Sequence, residues 1–353
     1  MPKKILVIGP SWVGDMVMSQ SLYITLKQQH PDAKLHVMAP AWCCALLERM
    51  PEVDKAIVMP LGHGDFKLTE RFRIGRQLAT EGYDRAIVQP NSMKSALIPL
   101  FAGIKKRTGW KGESRYGLLN DLRSNKTDFP LMVERYVALA HPKADMQNNH
   151  RIPALPWPAL QVDTANQQNV LKELNLNAES PIVSLCPGAE FGPSKRWPEQ
   201  HYAEVARHQI EQGKQIWIFG SAKDISVAET IKHHLPHSLQ GKCHILAGKT
   251  SLHQAIDLMA LSSVVISNDS GLMHIAAALK RPLVGIYGST SPEYTPPLAE
   301  QVAVVHTDIE CRPCFKRECP LGHLKCLKEL PAGKVLAAIQ QLTDPAHIAV
   351  SHR

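Results

Sequence analysis

The loop CPGAEFGPSKRWP, residues 186–198, combines glycine with cations in a pattern suited to phosphate chemistry. Gly188 and Gly192 allow a ligand to approach the backbone closely, and Lys195 and Arg196 can neutralise a phosphate group. The alternative interpretation is a solvated loop with two incidental charges, because glycine and lysine are common in loops. The loop predicts a phosphate site with Gly188, Lys195 and Arg196 as ligand-binding residues.

The stretch SNDSGLMHIAAALKRP, residues 267–282, predicts an anion site at the start of a helix. An apolar strand ends there, and Ser270 or Asp269 can cap the following helix, which begins near Gly271. Free N–H groups in the first turn of a helix attract anions, and Asp269 can accept hydrogen bonds from sugar hydroxyls. Asp269 as a plain N-cap is the alternative. His274 joins the candidate site, although a structural role is favoured because an isolated histidine is weak evidence for catalysis.

Two further strand ends carry weaker signals for a nucleotide. In IFGSAKDISVAE, residues 218–229, Ser221 follows a strand and Asp224 can reach a ribose hydroxyl. In AGKTSLHQA, residues 247–255, the chain can wall a base while Ser251 caps a helix. A simple helix cap is the favoured interpretation of both stretches.

The first half of the chain carries a basic run that suits an anionic acceptor molecule. The cations of this run are Lys105, Lys106, Arg107, Lys111 and Arg115. Because arginine binds phosphates and carboxylates, Arg107 and Arg115 are candidate acceptor ligands. Asn91, Ser92 and Lys94 follow a nearby strand and join them. The alternative is a solvated basic loop; no RNA- or DNA-binding motif is recognisable, so we expect no nucleic-acid partner.

The opening stretch ILVIGPSWVGDMVMSQSL, residues 5–22, has the pattern of a strand, a glycine turn and a helix start. Gly9 and Gly14 have the spacing of a phosphate loop, but Asp15 stands where such a loop needs lysine. This disfavours a phosphate-loop NTPase. No G-x-G-x-x-G follows any predicted strand, which disfavours an NAD dehydrogenase.

Four cysteines near the C-terminal end form a candidate metal site. The stretch CRPCFKRECPLGHLKC places Cys311, Cys314, Cys319 and Cys326 at the spacing Cys-x2-Cys-x4-Cys-x6-Cys. Four thiolates can hold a structural zinc ion in a tetrahedron, and an ordinary loop of reduced thiols is the alternative. Because four protein ligands leave zinc no open position, we expect no cofactor or metal to be required for catalysis.

The alternation of short apolar strands with helix-length segments predicts an α/β fold with two doubly wound, Rossmann-like halves. The prolines of RIPALPWP interrupt this pattern and mark a linker. We expect a first domain over residues 1–150, a linker over 151–160 and a second domain over 161–353, with the last helix a candidate to pack back on the first domain. Such halves bind ligands at the carboxyl ends of their strands, so a cleft between them is expected.

The composition suits an intracellular protein that acts on anionic molecules. Of 353 residues, 40 are Lys or Arg and 32 are Asp or Glu, a formal charge of +8. This excess favours a phosphorylated substrate or an acidic membrane surface, and a basic surface without a specific partner is the alternative. No apolar run reaches the ~20 residues of a membrane span, and no secretory signal is recognisable, so we expect a cytoplasmic protein.

Long runs of the sequence resemble the ADP-heptose–lipopolysaccharide heptosyltransferases. The resemblance covers most of the chain and is densest in GPSWVGDMVMSQSL, NSMKSAL, GWKGESRYGLLND, CPGAEFGPSKRWP and NDSGLMHIAAALKRP. It implies two Rossmann-like domains facing a cleft, the GT-B glycosyltransferase architecture, and a transfer that inverts the anomeric centre without a catalytic metal. It also implies that the second domain binds the donor ADP-L-glycero-D-manno-heptose. The first would bind heptosyl-Kdo2-lipid A, a phosphorylated lipid acceptor at the inner leaflet of the cytoplasmic membrane.

The resemblance assigns roles to residues that match the family's motifs. Asp15 takes the place of the acidic residue proposed as general base, with Gly14 beside it at the acceptor. Lys195 takes the place of the lysine on the donor phosphates. The D-[ST]-G-x-x-H run at the second helix start matches Asp269, Ser270, Gly271 and His274. Some relatives have a ribose-binding glutamate directly after the strand that ends in Phe219-Gly220. This chain has Ser221 at that place, so Asp224 is the substitute candidate for the ribose contact.

Two other classes of function stay open on the sequence alone. A nucleotide-sugar epimerase uses a similar two-domain architecture but needs no basic acceptor face. A solute-binding protein is a second alternative, which the missing secretory signal disfavours. The cysteine stretch is present in some relatives and absent in others, so it is not essential to the shared chemistry.

Overall fold

The strands are short apolar runs that lie buried in parallel sheets. In strand β1, Lys4–Ile8, the four residues after Lys4 are buried. Burial on both faces is expected where helices cover the two sides of a sheet, and such strands have a continuous apolar sequence. The predicted α/β class is therefore confirmed at the level of single strands.

The chain divides into two units, Met1–Pro158 and Ala159–Arg353. The boundary falls inside the predicted linker, residues 151–160. The computed structural model describes residues 2–62, 64–146, 152 and 155–344. Residues 151, 153 and 154 of the linker lie outside the described residues, as do residues 345–353 of the predicted second domain.

The first unit contains a parallel sheet with the strand order β3-β2-β1-β4-β5-β6. Its strands are β1 Lys4–Ile8, β2 Lys34–Ala39, β3 Lys55–Val58, β4 Arg85–Val88, β5 Lys106–Trp110 and β6 Asp121–Arg123. Its helices are α1 Val13–Gln29, α2 Ala41–Leu47, α3 Leu68–Ala79, α4 Met93–Phe101 and α5 Met132–Val137. The register pairs Leu6 of β1 with His36 on one side and Ala86 on the other.

The second unit contains a parallel sheet with the strand order β12-β11-β10-β7-β8-β9. Its strands are β7 Ile182–Cys186, β8 Gln215–Ile218, β9 Cys243–Ile245, β10 Ser262–Asn268, β11 Leu283–Ile286 and β12 Val302–Val305. Its helices are α6 Thr164–Glu173, α7 Glu199–Glu211, α8 Ile225–His233, α9 Leu252–Met259, α10 Gly271–Ala278, α11 Lys325–Lys328 and α12 Ala332–Thr343. The register pairs Ile266 of β10 with Leu185 and Val284.

Both sheets have the order 3-2-1-4-5-6 when the strands of each unit are counted along the chain. This is the order of a Rossmann fold, so the prediction of two doubly wound, Rossmann-like units is confirmed. The order reverses between β1 and β4 and between β7 and β10. Ligands bind outside the carboxyl ends of the strands at such a switch point. The loops after these four strands are therefore the places where each unit can build a site.

The last described helix, α12, belongs to the core of the second unit. It buries Val335, Ala338 and Ile339 in the same apolar cluster as Val183 of β7 and Val284 of β11. Its apolar face is therefore buried within the second unit.

The helices also bear on membrane contact. Helix α1 spans 17 residues. Among the helices that the structure describes, none is long and apolar enough to cross a membrane.

Candidate active site

The switch point of the second unit brings a lysine and a carboxylate together. Lys195 lies in the loop after β7, and its Nζ is 2.6 Å from Oδ2 of Asp269, which directly follows β10. Thr290 donates its hydroxyl to the same Oδ2 at 2.5 Å. The exposed fractions of the two charged side chains are 14% for Lys195 and 4% for Asp269. The lysine predicted to bind phosphate is therefore held in place by a buried carboxylate.

Asn268 connects the loop after β7 to the end of β10 by hydrogen bonds. No sequence motif predicted this role. Its side-chain N–H donates to the carbonyl of Pro187 at 2.6 Å. Its Oδ1 accepts from the backbone N–H of Trp197 at 3.2 Å and from the Tyr202 hydroxyl at 3.0 Å. Asn268 is fully buried. One amide side chain thus fixes both ends of the loop that carries Lys195.

The middle of this loop is held by the cysteine-rich segment, residues 311–326. Ser194 donates its backbone N–H to the carbonyl of Arg317 at 3.2 Å and its hydroxyl to the carbonyl of Lys316 at 2.5 Å. A Cβ atom at Gly192 would lie 2.5 Å from the Arg317 carbonyl oxygen. Glycine is therefore needed at position 192 for the segment to approach, which is a packing role.

Helix α10 begins without the predicted side-chain cap. Ser270 is the N-cap residue, but its hydroxyl makes no capping hydrogen bond and lies 3.3 Å from that of Ser267. The Asp269 carboxylate binds Lys195 instead. The prediction that Ser270 or Asp269 caps this helix is therefore wrong. No side-chain cap binds the backbone N–H groups in the first turn of α10, which begins at Gly271. These N–H groups can therefore bind an anion.

His274 lies inside the protein next to the charged pair. It is buried, and this burial lowers its pKa to about 4, while Asp269 raises the pKa and Lys195 lowers it further. The imidazole is therefore neutral at neutral pH and cannot offer a positive charge to a phosphate. Its environment fits the structural role that the sequence favoured.

Asp224 and Ser221 form a helix cap. Asp224 Oδ2 accepts from the backbone N–H and the hydroxyl of Ser221 at 2.9 and 2.8 Å, and Asp224 is buried. A Cβ atom at Gly188 would lie 2.7 Å from this carboxylate, so Gly188 makes room for the cap. The cap interpretation is confirmed, and the ribose contact of Asp224 stays a prediction. Ser251 likewise caps α9, accepting from the N–H of Gln254 at 3.3 Å.

Arg196 keeps an unpaired donor in this region. Its Nε is buried and has no hydrogen-bond partner among the described residues. A buried N–H without an acceptor costs free energy, and a phosphate oxygen would relieve that cost. Arg196 therefore stays a candidate for ligand binding beside Lys195.

In the first unit, Asp15 lies at the carboxyl end of β1, in the first turn of α1 and directly after Gly14. The side chain is half-buried, and the backbone carbonyl of Asp15 accepts from the Ser19 hydroxyl at 2.7 Å. Burial first, then the neighbouring Cys44 and Asp15, raise the pKa of the Cys43 thiol to about 12. The carboxylate of Asp15 therefore lies close to the start of α2, at the switch point of this unit.

The loops after β4 and β5 interlock at the same edge of the first sheet. Asn91 and Ser92 precede α4, and Lys94 lies in its first turn. Glu113, after β5, donates its backbone N–H to the Asn91 carbonyl at 3.1 Å. Its carboxylate accepts from the backbone N–H of Met93 at 2.8 Å. The structure thus brings the polar residues after β4 together with the loop after β5.

The two arginines predicted at the acceptor serve the protein itself. Arg115 is 1% exposed and donates to the carbonyls of Pro90, at 2.5 Å, and Trp110. Burial lowers its pKa to about 10. Arg107 donates to two main-chain carbonyls at 2.6 Å. The prediction is corrected on this point: both guanidinium groups brace the basic loop, whereas Lys111 in the same loop is exposed.

The four cysteines of the cysteine-rich segment line one small cavity together with Ser194 and Ser289. Backbone N–H groups, that of Leu324 above all, hold the pKa of Cys319 below its usual value. In the part of the chain that the structure describes, no three His, Cys, Asp or Glu side chains are grouped so that they could hold a metal ion. The zinc site at Cys311, Cys314, Cys319 and Cys326 stays a prediction.

Two Rossmann-like units in one chain match the architecture of GT-B glycosyltransferases, and the comparisons with known proteins decide the class. Residues 71–325 match the model of glycosyltransferase family 9 (heptosyltransferase). The chain belongs to this family.

Individual relatives agree with the family assignment. Lipopolysaccharide heptosyltransferase 2 of Escherichia coli (strain K12) is 50% identical over 341 residues, covering 96% of this chain and 98% of the relative. Lipooligosaccharide heptosyltransferase 2 of Haemophilus influenzae is 57% identical over 305 residues, covering 85% and 88%. The solved structure of E. coli ADP-heptose LPS heptosyltransferase II matches with a TM-score of 0.88 at 48% identity, covering 96% and 98%.

The epimerase alternative finds only a likeness of fold. A UDP-GlcNAc 2-epimerase from Methanocaldococcus jannaschii matches with a TM-score of 0.53 at 11% identity, covering 98% of this chain and 93% of the epimerase. The family and the relatives above therefore decide between the two classes, and the protein is a glycosyltransferase.

The buried His274 predicts a pH dependence of stability. Its pKa is about 4 in the folded protein against 6.5 for an exposed histidine, so the unfolded chain binds more protons between these values. Stability should be complete above pH 6.5 and fall as the pH drops towards 4, by up to about 3 kcal/mol. His274→Gln should flatten this part of the pH profile in urea unfolding. The exposed His237→Gln should keep the wild-type profile; identical profiles for all three proteins would contradict the assignment.

Proposed function

We propose that this glycosyltransferase moves L-glycero-D-manno-heptose from ADP-heptose to heptosyl-Kdo2-lipid A in the synthesis of the lipopolysaccharide inner core. The observation that carries the proposal is the cluster of Lys195, Asp269 and Thr290 at the switch point of the second unit. Its lysine and the uncapped start of α10 suit the diphosphate of a nucleotide sugar. The relatives that share half of the sequence bear the name heptosyltransferase 2.

The donor is bound through its diphosphate in this proposal. Lys195 and Arg196 face the phosphate oxygens, and the N–H groups at Ser270 and Gly271 complete the anion site. As the bond between the anomeric carbon and ADP breaks, negative charge grows on the departing diphosphate. Groups that are already in position stabilise that charge most effectively, because they need no reorganisation. No metal ion takes part in these steps.

The acceptor is activated by Asp15. A hydroxyl of the acceptor attacks the anomeric carbon from the face opposite ADP, its proton passes to the Asp15 carboxylate, and the configuration is inverted. Gly14, Asn91, Ser92 and Lys94 are the remaining groups that we assign to the acceptor. The buried Arg115 and the carbonyl-bound Arg107 act behind them by fixing the loop.

The proposed reaction is tested by measuring ADP release with three acceptors that carry zero, one or two heptoses on Kdo2-lipid A. Activity with the one-heptose acceptor alone is the expected result. Conversion of ADP-heptose to another sugar nucleotide without any acceptor would instead indicate an epimerase. If none of the three acceptors supports the release of ADP, the proposal is overturned.

Replacing the proposed base gives a sharper test of the mechanism. Asp15→Ala should lower turnover by roughly 10²–10⁴-fold, the usual contribution of a positioned general base, and leave ADP-heptose binding largely intact. Asp32→Ala removes an exposed carboxylate elsewhere in the same unit and should leave turnover unchanged. Turnover of Asp15→Ala close to wild type would show that another group takes the proton.

We also propose that the enzyme is cytoplasmic and contacts the inner leaflet of the cytoplasmic membrane through α3 and the residue pair before it. Phe66, Leu68 and Phe72 are 46%, 46% and 52% exposed, and Leu68 and Phe72 are four residues apart on one helix face. Buried Arg71 donates to the Phe66 carbonyl at 2.6 Å, which fixes the presentation of this surface. Apolar side chains with flanking cations are typical of interfacial binding. The flanking cations are Lys67, Arg73 and Arg76, of which Lys67 pairs with Asp65 and Arg73 with Glu70.

The membrane surface is tested by vesicle sedimentation. The triple variant Phe66→Ser, Leu68→Ser, Phe72→Ser should lose most binding to vesicles rich in phosphatidylglycerol, because the apolar contact area is gone. Trp157→Ser, at a residue that is 47% exposed, is the control and should bind as wild type does. Equal binding of both variants would place the contact elsewhere.

A further inference from the structure

We propose that Arg317 supplies a further cation to the donor diphosphate, beside Lys195 and Arg196, an assignment that rests on the proposed function. Arg317 lies in the cysteine-rich segment, 122 residues after Lys195 along the chain. The geometry brings the two cations to the same aromatic ring at the loop after β7. The ligand class is a nucleoside diphosphate, and Arg317 acts as a diphosphate-binding residue.

The backbone of Arg317 is fixed against the loop after β7, which carries Lys195. Its carbonyl oxygen accepts from the Ser194 N–H at 3.2 Å and lies against Gly192, where any side chain would clash. The preceding carbonyl, of Lys316, accepts from the Ser194 hydroxyl at 2.5 Å. In addition, the Phe315 N–H donates to the carbonyl of Ser289 at 2.8 Å. Arg317 is therefore anchored on the residue next to Lys195.

The side chains of Arg317 and Lys195 both contact the ring of Phe191. The Lys195 Nζ lies 4.9 Å from the centre of the Phe191 ring, and the Arg317 Cζ lies 5.6 Å from it. Both distances are within the range of a cation–π contact. The Phe191 ring thus has two cations beside it, of which Lys195 is paired with Asp269.

The charge of Arg317 is not balanced within the protein. Lys195 has Asp269 as its partner, and Glu190, next to Phe191, pairs with Lys223 at 2.6 Å. No carboxylate among the described residues forms an ion pair with Arg317. An exposed guanidinium beside a phosphate site can bind two oxygens at once, which suits a diphosphate.

The test measures nucleotide affinity by calorimetry for wild type, Arg317→Ala, Arg317→Lys and Lys316→Ala. Arg317→Ala should weaken ADP binding roughly 10-fold or more, the scale of hydrogen bonds to charged groups, and raise the KM for ADP-heptose. Arg317→Lys should recover part of the loss because it keeps the charge. Lys316→Ala removes a neighbouring exposed cation, keeps its backbone carbonyl, and should bind ADP as wild type does.

Adenosine, which lacks phosphate, separates a ligand contact from a structural role. Its affinity, measured by competition against ADP, should be the same in Arg317→Ala and wild type. Equal ADP affinity of Arg317→Ala and wild type would overturn the inference, as would an equal loss for ADP and adenosine. A wild-type protein that binds no ADP and transfers no heptose would instead mean that the proposed function itself has failed.

Discussion

The ion pair between Lys195 and Asp269 is the interaction on which the candidate site depends. It joins the loop after β7 to the end of β10, and Thr290 ties the turn after β11 to the same carboxylate oxygen. A buried pair adds little net stability, but removing one partner leaves an unpaired charge and typically costs about 3–5 kcal/mol. The pair therefore matters mainly because it places the lysine. The position of this cation is thus set before any ligand binds.

The two units have the same strand order but different chemistry at their switch points. In the second unit, the amide of Asn268 and the hydroxyl of Ser194 fix the loop that carries Lys195 and Arg196. In the first unit, the glycine turn after β1 leads into Asp15, and buried Arg115 braces the basic loop. A shared fold thus carries a paired lysine, the candidate phosphate ligand, in one unit and a carboxylate in the other, as expected when function depends on loops grafted onto a scaffold.

The sequence predicts the two Rossmann-like units because their strands are continuous apolar runs followed by glycine-rich turns. It also predicts the positions of Lys195 and Asp269, since both follow strands that meet at a switch point. It does not predict that these two residues bind each other, because the contact joins positions 74 residues apart. Nor does the count of charges distinguish Arg115, which binds main-chain carbonyls, from an arginine that binds a ligand. The spacing of Ser221 and Asp224 is that of a capping box, and this local signal is sufficient to predict the helix cap.

The hydrogen bonds between the cysteine-rich segment and Ser194 restrict local opening of the loop that carries Lys195. The segment is connected to the loop after β7 through the carbonyls of Lys316 and Arg317, and to the turn at Ser289 through the N–H of Phe315. Local opening of the loop must break these bonds together, so the loop and the segment form one cooperative element. The slowest amide protons of the loop and the segment should therefore exchange through a single opening event.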